Sequence, residues 1–127
     1  MTVALWCILI AIFLPYVCTT IARVSGGFRL KDNHDPRDFL ESLNGLGRRA
    51  YAAHLNGLEV TPAFAAAVIV AHLAGNAELV TINVLAVLFI TSRLLYIICY
   101  LADWAILRSL MWLVGLGLIV SFFVVSV

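Results

Sequence analysis

Charge is scarce in this sequence, which has eight Lys or Arg and seven Asp or Glu among 127 residues. Hydrophobic residues make up 64% of the chain, and the mean hydropathy is +1.07. A soluble domain of this size has too little interior to bury so much apolar surface. The composition therefore excludes a soluble globular domain. The net charge of +1 comes without a basic run or an aromatic platform, so we expect no nucleic-acid partner.

Cysteine is also rare, and Cys7, Cys18 and Cys99 all lie inside apolar segments. Their spacing matches neither a metal site nor a disulfide framework, so we predict no metal and three buried thiols. The first apolar segment has no preceding positive charge and no small-x-small site after it, both of which a cleaved signal peptide needs. We therefore expect that segment to be a retained helix.

Long apolar runs fill most of the chain. A bilayer core of about 30 Å needs about 20 apolar residues per helix, and four such runs are present. They predict membrane helices over about residues 2–24, 48–74, 78–102 and 105–127, in one domain that covers residues 1–127. The expected fold is all-α, an integral membrane four-helix bundle with up-down-up-down topology, surrounded by membrane lipids.

The polar segment of about residues 25–47 predicts the orientation. Six of the eight Lys and Arg lie between Arg23 and Arg49, whereas the turn of residues 75–78 has none. Because loops rich in Lys and Arg stay in the cytoplasm, we expect this loop to be cytoplasmic and both termini to lie on the other side. Within the loop, residues 36–43 are expected to form one short amphipathic turn.

Polar residues at membrane depth form two stripes. Such residues are costly there, so they are expected to face the bundle interior and to mark functional sites. On the second long helix, Arg49, Asn56 and Glu59 are spaced i, i+7 and i+10, which places them on one face. The third helix repeats this spacing with a cation, two phenols and an acid: Arg93, Tyr96, Tyr100 and Asp103. The two stripes suit a polar, multiply charged ligand, although an internal Glu59–Arg93 ion pair is the alternative.

The same two helices resemble a known family. The run Arg49-Ala-Tyr-Ala-Ala-His-Leu-Asn56-Gly-Leu-Glu59-Val-Thr-Pro62 is similar to the second-helix signature of the MAPEG family, the membrane-associated proteins in eicosanoid and glutathione metabolism. The run Arg93-Leu-Leu-Tyr96-Ile-Ile-Cys-Tyr100, followed by Arg108-Ser109, resembles that family's third helix and next turn. The resemblance covers nearly the whole chain and is closest to short bacterial members, which implies a bacterial inner membrane.

The resemblance implies a homotrimer with glutathione as co-substrate, bound between neighbouring subunits on the cytoplasmic side. It also implies a transferase or peroxidase reaction with a lipophilic small molecule that arrives from the membrane. Arg108 is the nearest match to the catalytic Arg that activates the glutathione thiol. The positions that match glutathione-binding or supporting residues are Arg49, Asn56, Glu59, Arg93, Tyr96 and Tyr100.

Two departures from the family pattern leave other functions open. Leukotriene-type synthases carry an Arg where this chain has Ala52, and an aromatic where it has Val60. The missing Arg at Ala52 favours a second hypothesis, a non-catalytic protein of the same fold that binds a lipid or acts as a scaffold. A third is a small multidrug transporter, but such transporters place an essential Glu in the first helix, and residues 2–22 carry no charge.

Overall fold

The computed structural model describes residues 1–127 and consists of helices joined by short connections. Its helices are α1 (Val3–Gly26), α2 (Pro36–Glu41), α3 (Gly45–Ala74), α4 (Leu79–Leu101) and α5 (Ala105–Val124), with a 3₁₀ turn at Leu30–His34. The four long helices have the length and apolar composition of membrane spans. The prediction of an all-α, four-helix membrane fold is thereby confirmed.

The predicted and observed helix ends differ by at most three residues. The largest differences are at the start of α3 and at the end of α5, each of which comes three residues earlier than predicted. The polar segment has more structure than a plain loop. There, Pro36 occupies the first turn of α2, and the Asp35 carboxylate accepts a hydrogen bond from the amide of Asp38. This pairing is a common way to begin a helix, so the short turn predicted for this segment is confirmed.

Helix α1 approaches α3 so closely that the crossing requires a glycine. The ring of Pro15 lies against Gly57, where an added Cβ would come within 2.7 Å of Pro15 Cγ. Because proline has no N–H, the carbonyl of Ala11 loses its helical donor. The hydroxyl of Thr61 in α3 lies 3.3 Å from that carbonyl and 2.7 Å from the carbonyl of Gly57 in its own helix, so one proton is shared between the two acceptors. A proline in one helix is thus matched by a glycine and a hydroxyl in the other.

The core lies at the centre of the bundle and is aromatic. Phe64 of α3 stacks on Phe89 of α4 with ring centroids 4.0 Å apart, and Phe122 of α5 meets Phe64 edge-on at 5.9 Å. All three rings are fully buried. Most other large apolar side chains are on the outside of the bundle, and an exposed apolar surface of that extent belongs in lipid.

The two ends of the bundle differ in their polar contacts. At the end that carries both termini, Asn83 of α4 accepts from the amide of Ala4, and the Thr2 hydroxyl bonds the ring of His72. The amides in the first turn of a helix lack helical acceptors, and here Asn83 accepts from Ala4 while the Thr2 hydroxyl oxygen accepts from Leu5. The other end, formed by residues 27–44 and 102–104, is called the loop end below. The residues of the predicted site all lie in that half of the bundle.

Candidate active site

Arg93 lies at the centre of a polar cluster between α3 and α4, with only 4% of its surface exposed. One guanidinium nitrogen donates to Oδ1 of Asn56 at 2.7 Å, and the guanidinium carbon lies 4.2 Å from the ring centroid of Tyr96. A buried charge persists only where other groups replace the lost water, and the amide oxygen and the aromatic face do so here. Arg93, Asn56 and Tyr96 therefore form one connected unit.

The alternative of an internal Glu59–Arg93 ion pair is wrong. Glu59 is exposed on α3, and the partner of Arg93 is Asn56 instead. Asn56 and Glu59 lie about 60° apart around α3, and in the packed bundle it is Asn56 that faces Arg93. Glu59 therefore borders the cluster without joining its hydrogen bonds.

A cavity of about 220 Å³ lies beside this cluster, where α4 meets α5. Tyr96 and Tyr100 meet edge to face with ring centroids 5.7 Å apart. The guanidinium of Arg108 lies 4.5 Å from the ring centroid of Tyr100, and Ser109 and Trp112 complete the lining. The cavity thus gathers a cation, two phenols and a hydroxyl. Such a set can stabilise a thiolate by charge and by hydrogen bonds.

Arg49 does not reach this cavity. Its guanidinium donates to the backbone carbonyl of Leu101, the last residue of α4, at 3.2 Å. Its Nε is buried and has no hydrogen-bond partner. The structure therefore places Tyr96, Tyr100 and Arg108 around the cavity, with Arg93 and Asn56 next to Tyr96. Glu59 is exposed on α3, and Arg49 contacts the end of α4.

A second polar surface, which the sequence did not reveal, lies on a different face of α3. A cavity of about 730 Å³ opens at the loop end between α1, α2 and α3. It is lined by two cations, two carboxylates, two imidazoles and two phenols: Arg23, Arg37, Asp35, Glu41, His34, His54, Tyr16 and Tyr51. His54 Nδ1 lies 2.7 Å from the carbonyl of Pro15, so Nδ1 carries the proton and Nε2 is left for another partner.

In the sequence, only the part of this second surface that belongs to α3 could have been predicted. Tyr51 and His54 are one helical turn apart, and their rings stack with centroids separated by 6.1 Å. This spacing alone predicts a polar stripe beside the one that contains Asn56. The rest of the cavity comes from α1 and α2, whose approach to α3 depends on side-chain packing such as that of Pro15 on Gly57.

Comparison with known proteins gives one match. The model of the MAPEG family matches residues 3–127, which includes all four long helices and both polar surfaces. No curated protein and no solved structure matches the chain.

Proposed function

This chain belongs to the MAPEG family, and from that membership we propose that it is a membrane-bound, glutathione-dependent transferase or peroxidase. Its substrate would be a lipophilic electrophile. The observation that carries the proposal is the position of Arg108 over the ring of Tyr100, beside the buried Arg93–Asn56 pair. Arg108 and Tyr100 thus lie near Arg93, whose position is fixed by Asn56. Two cations and a phenol suit an anionic peptide whose thiol must ionise.

The donor set fits glutathione, which carries two carboxylates, an ammonium group and a thiol. Arg93 offers a cation for a carboxylate, while Asn56 and Glu59 offer oxygens for the ammonium group. Arg108 stabilises the thiolate by charge, and Tyr96 or Tyr100 donates a hydrogen bond to the sulfur. Of these residues, Tyr96 and Tyr100 line the cavity with Arg108. Arg93 and Asn56 adjoin that cavity through the contact of Arg93 with the Tyr96 ring.

Two reactions are open to a thiolate stabilised in this way. In a transfer, the sulfur lone pair forms a bond to an electrophilic carbon, and the displaced group leaves with the bonding pair and takes up a proton. In a peroxidase reaction, the sulfur attacks the terminal oxygen of a hydroperoxide, and the alcohol leaves as the O–O bond breaks. A second glutathione then reduces the resulting sulfenic acid to a disulfide, with loss of water.

The lipophilic co-substrate has an apolar surface available at the same end of α5. A groove of about 710 Å³ is lined only by apolar side chains of the first turns of that helix: Trp104, Ala105, Ile106, Leu107 and Leu110. Because Arg108 belongs to the same turns, a molecule that lies in this groove is within one or two helical turns of the proposed thiolate. The groove thus supports a substrate that arrives from the membrane.

The two polar surfaces support a homotrimer whose sites lie between copies. In one chain, the Asn56–Arg93 cluster and the 730 Å³ cavity occupy different faces of α3. We infer that glutathione lies between the first surface of one subunit and the second surface of its neighbour. Arg23 and Arg37 of that second surface would add cations for the peptide carboxylates. A single chain offers only half of such a site.

The proposed location is the bacterial inner membrane, with the loop end in the cytoplasm and both termini on the other side. The chain is a multi-pass membrane protein with four spans. Since the cations of both polar surfaces lie at the loop end, glutathione from the cytoplasm would reach them directly.

Calorimetry of glutathione binding to the detergent-purified oligomer tests the proposal. Arg93→Lys and Glu59→Gln alter the first surface, Arg37→Gln alters the second, and Arg29→Gln is the control because Arg29 is exposed and lines neither cavity. We expect saturable binding that the three site variants weaken roughly fivefold or more and the control leaves unchanged. Absence of glutathione binding in a folded wild-type oligomer would refute the proposal that the protein is a glutathione-dependent enzyme.

The second candidate is a non-catalytic lipid-binding or scaffold protein of the same fold. Ala52 favours it, because a half-buried methyl group stands where leukotriene-type synthases supply a cation. This candidate predicts lipid binding in the apolar groove without any effect of glutathione. The transporter has no such support, since the part of α1 before Arg23 contains no carboxylate.

A further inference from the structure

Every backbone carbonyl in the last turn of α4 has a hydrogen-bond donor, and one of those donors is a side chain. The carbonyls of residues 98–100 accept from the amides of residues 102–104. The carbonyl of Leu101 accepts from the guanidinium of Arg49. Carbonyls at the end of a helix lack helical donors and carry the negative end of the helix dipole. A cationic donor is therefore well suited to this position.

The turn beyond this helix end leads directly to the proposed active site. Asp103 has a φ of 62°, a left-handed conformation that residues other than glycine adopt at a cost. The turn separates Tyr100 from Trp104, and the carbonyl of Trp104 accepts the amide of Arg108 at 2.9 Å. The geometry of this turn therefore fixes where Arg108 lies relative to Tyr100.

Arg49 makes one of the two side-chain hydrogen bonds between α3 and α4. The other is the hydrogen bond between Asn56 and Arg93. Asn56 follows Arg49 by seven residues, or about 10 Å along the helix. Two hydrogen bonds at that separation restrict both the sliding and the rotation of α4 against α3. One hydrogen bond alone would not fix the position of α4 at its loop end.

We propose that Arg49 is a positioning residue that closes the end of α4, and thereby holds Arg108 beside Tyr100, without contacting glutathione. This assignment replaces the expectation that Arg49 binds the ligand. It rests on the proposed function only in its statement about glutathione, because the contact with Leu101 exists in the chain alone.

Hydrogen–deuterium exchange of the full chain in detergent, without glutathione, tests the contact. Arg49→Met removes the donor, Arg49→Lys keeps a cationic donor, and Arg48→Met is the control, since Arg48 donates to the carbonyl of Glu41 instead. We expect the amides of residues 102–105 to exchange roughly fivefold faster in Arg49→Met. The Lys variant should stay within about twofold of wild type, and so should the control.

Unchanged exchange at residues 102–105 in Arg49→Met would overturn the proposal. If that variant does not fold, Arg49→Gln, which keeps a neutral donor, takes its place with an intermediate increase expected. An increase spread evenly over all helices would also overturn it, because a positioning role predicts a local effect.

The ultraviolet absorbance of bound glutathione thiolate gives a second readout. A positioning role predicts that Arg49→Met binds glutathione within about twofold of wild type but shows less thiolate, and that Arg49→Lys restores the signal. A direct ligand role predicts weaker binding with no change in exchange of the turn, which would contradict the proposal. If wild type binds no glutathione, the proposed function fails and the exchange experiment alone decides the role of Arg49.

Discussion

The guanidinium of Arg93 is the residue-scale feature on which the arrangement of the site depends. It is a charge held almost entirely inside a helical bundle, with an amide oxygen and an aromatic ring as its partners. Removing one partner of a buried charge leaves the other without compensation, which costs more than the hydrogen bond itself contributes. Asn56 should therefore matter to stability as well as to ligand binding.

We expect Asn56→Ala to lower the free energy of unfolding by about 1–3 kcal/mol. The measurement is an unfolding titration in mixed detergent micelles. Asn44→Ala is the matched control, because Asn44 is exposed and its side chain makes no capping hydrogen bond. A control shift within about 0.5 kcal/mol is expected. Equal stability of Asn56→Ala and wild type would show that Arg93 does not need this acceptor.

Helical periodicity predicted which residues share a face but not which of them pair. The spacing predicted that Asn56 and Arg93 lie on facing sides of α3 and α4, and the two side chains are hydrogen-bonded. The ion pair was wrong because a carboxylate and an amide one turn apart compete for one cation, and the outcome depends on the rotation of α3 against α4. The contact of Arg49 with the end of α4 was not predictable from periodicity, because it depends on where the backbone carbonyl of Leu101 lies once the helices are packed.

At the scale of helices, the crossing of α1 and α3 shows how a proline in one helix is accommodated by residues of the helix packed against it. The carbonyl freed by Pro15 shares the Thr61 hydroxyl with the carbonyl of Gly57, and the ring of Pro15 packs against the backbone of Gly57. The long apolar runs were enough to predict both helices. Their close contact was not predictable, because it depends on which proline meets which glycine once the helices are packed.

Gly57→Ala should destabilise the bundle, because the new Cβ would lie 2.7 Å from Pro15 Cγ. A forced separation of this kind costs about 1–3 kcal/mol, measurable by the same detergent unfolding titration. Gly117→Ala is the control, since nothing lies within 4 Å of its Cβ position. It should be neutral or slightly stabilising, as alanine favours a helix. If both substitutions behave alike, close packing is not what Gly57 provides.

Thr61→Val should cost about 0.5–1.5 kcal/mol in free energy of unfolding, because the Ala11 carbonyl would lose the donor that it shares with the Gly57 carbonyl. Thr91→Val is the matched control, since its exposed hydroxyl only bonds a carbonyl of its own helix. In a double-mutant cycle, Pro15→Ala returns an amide to the Ala11 carbonyl and should reduce the effect of Thr61→Val. An undiminished effect on that background would refute the link between the proline and the hydroxyl.

At the scale of the whole molecule, charge is concentrated at one end of the bundle, which supports the proposed orientation and the proposed oligomer. Charged residues collect at the loop end, and both cavities with polar linings open there. Composition predicted the membrane and the number of spans, because each span is a local property of about 20 residues. The second polar surface was not predictable in this way, since its residues come from α1, α2 and α3 and meet only in the folded chain.

The proposed orientation predicts that a cysteine at Asn33, an exposed residue of the first loop, faces the cytoplasm. In intact cells, Asn33→Cys should resist a membrane-impermeant maleimide, and in inverted vesicles it should react. A cysteine at Ala74, exposed near the opposite end of α3, should show the reverse pattern. The three native cysteines are buried and should contribute little background. Labelling of Asn33→Cys from outside intact cells would reverse the topology.

The most direct test of the central claim is the thiolate absorbance of glutathione added to the purified oligomer, in wild type and in Arg108→Met. The claim predicts a saturable thiolate signal in wild type, because Arg108 stabilises the anion beside Tyr96 and Tyr100. In Arg108→Met we expect about a tenfold loss of that signal, with glutathione binding largely retained through Arg93. An equal signal in both proteins, or none in a folded wild-type oligomer, would contradict a glutathione-dependent enzyme with Arg108 at its centre.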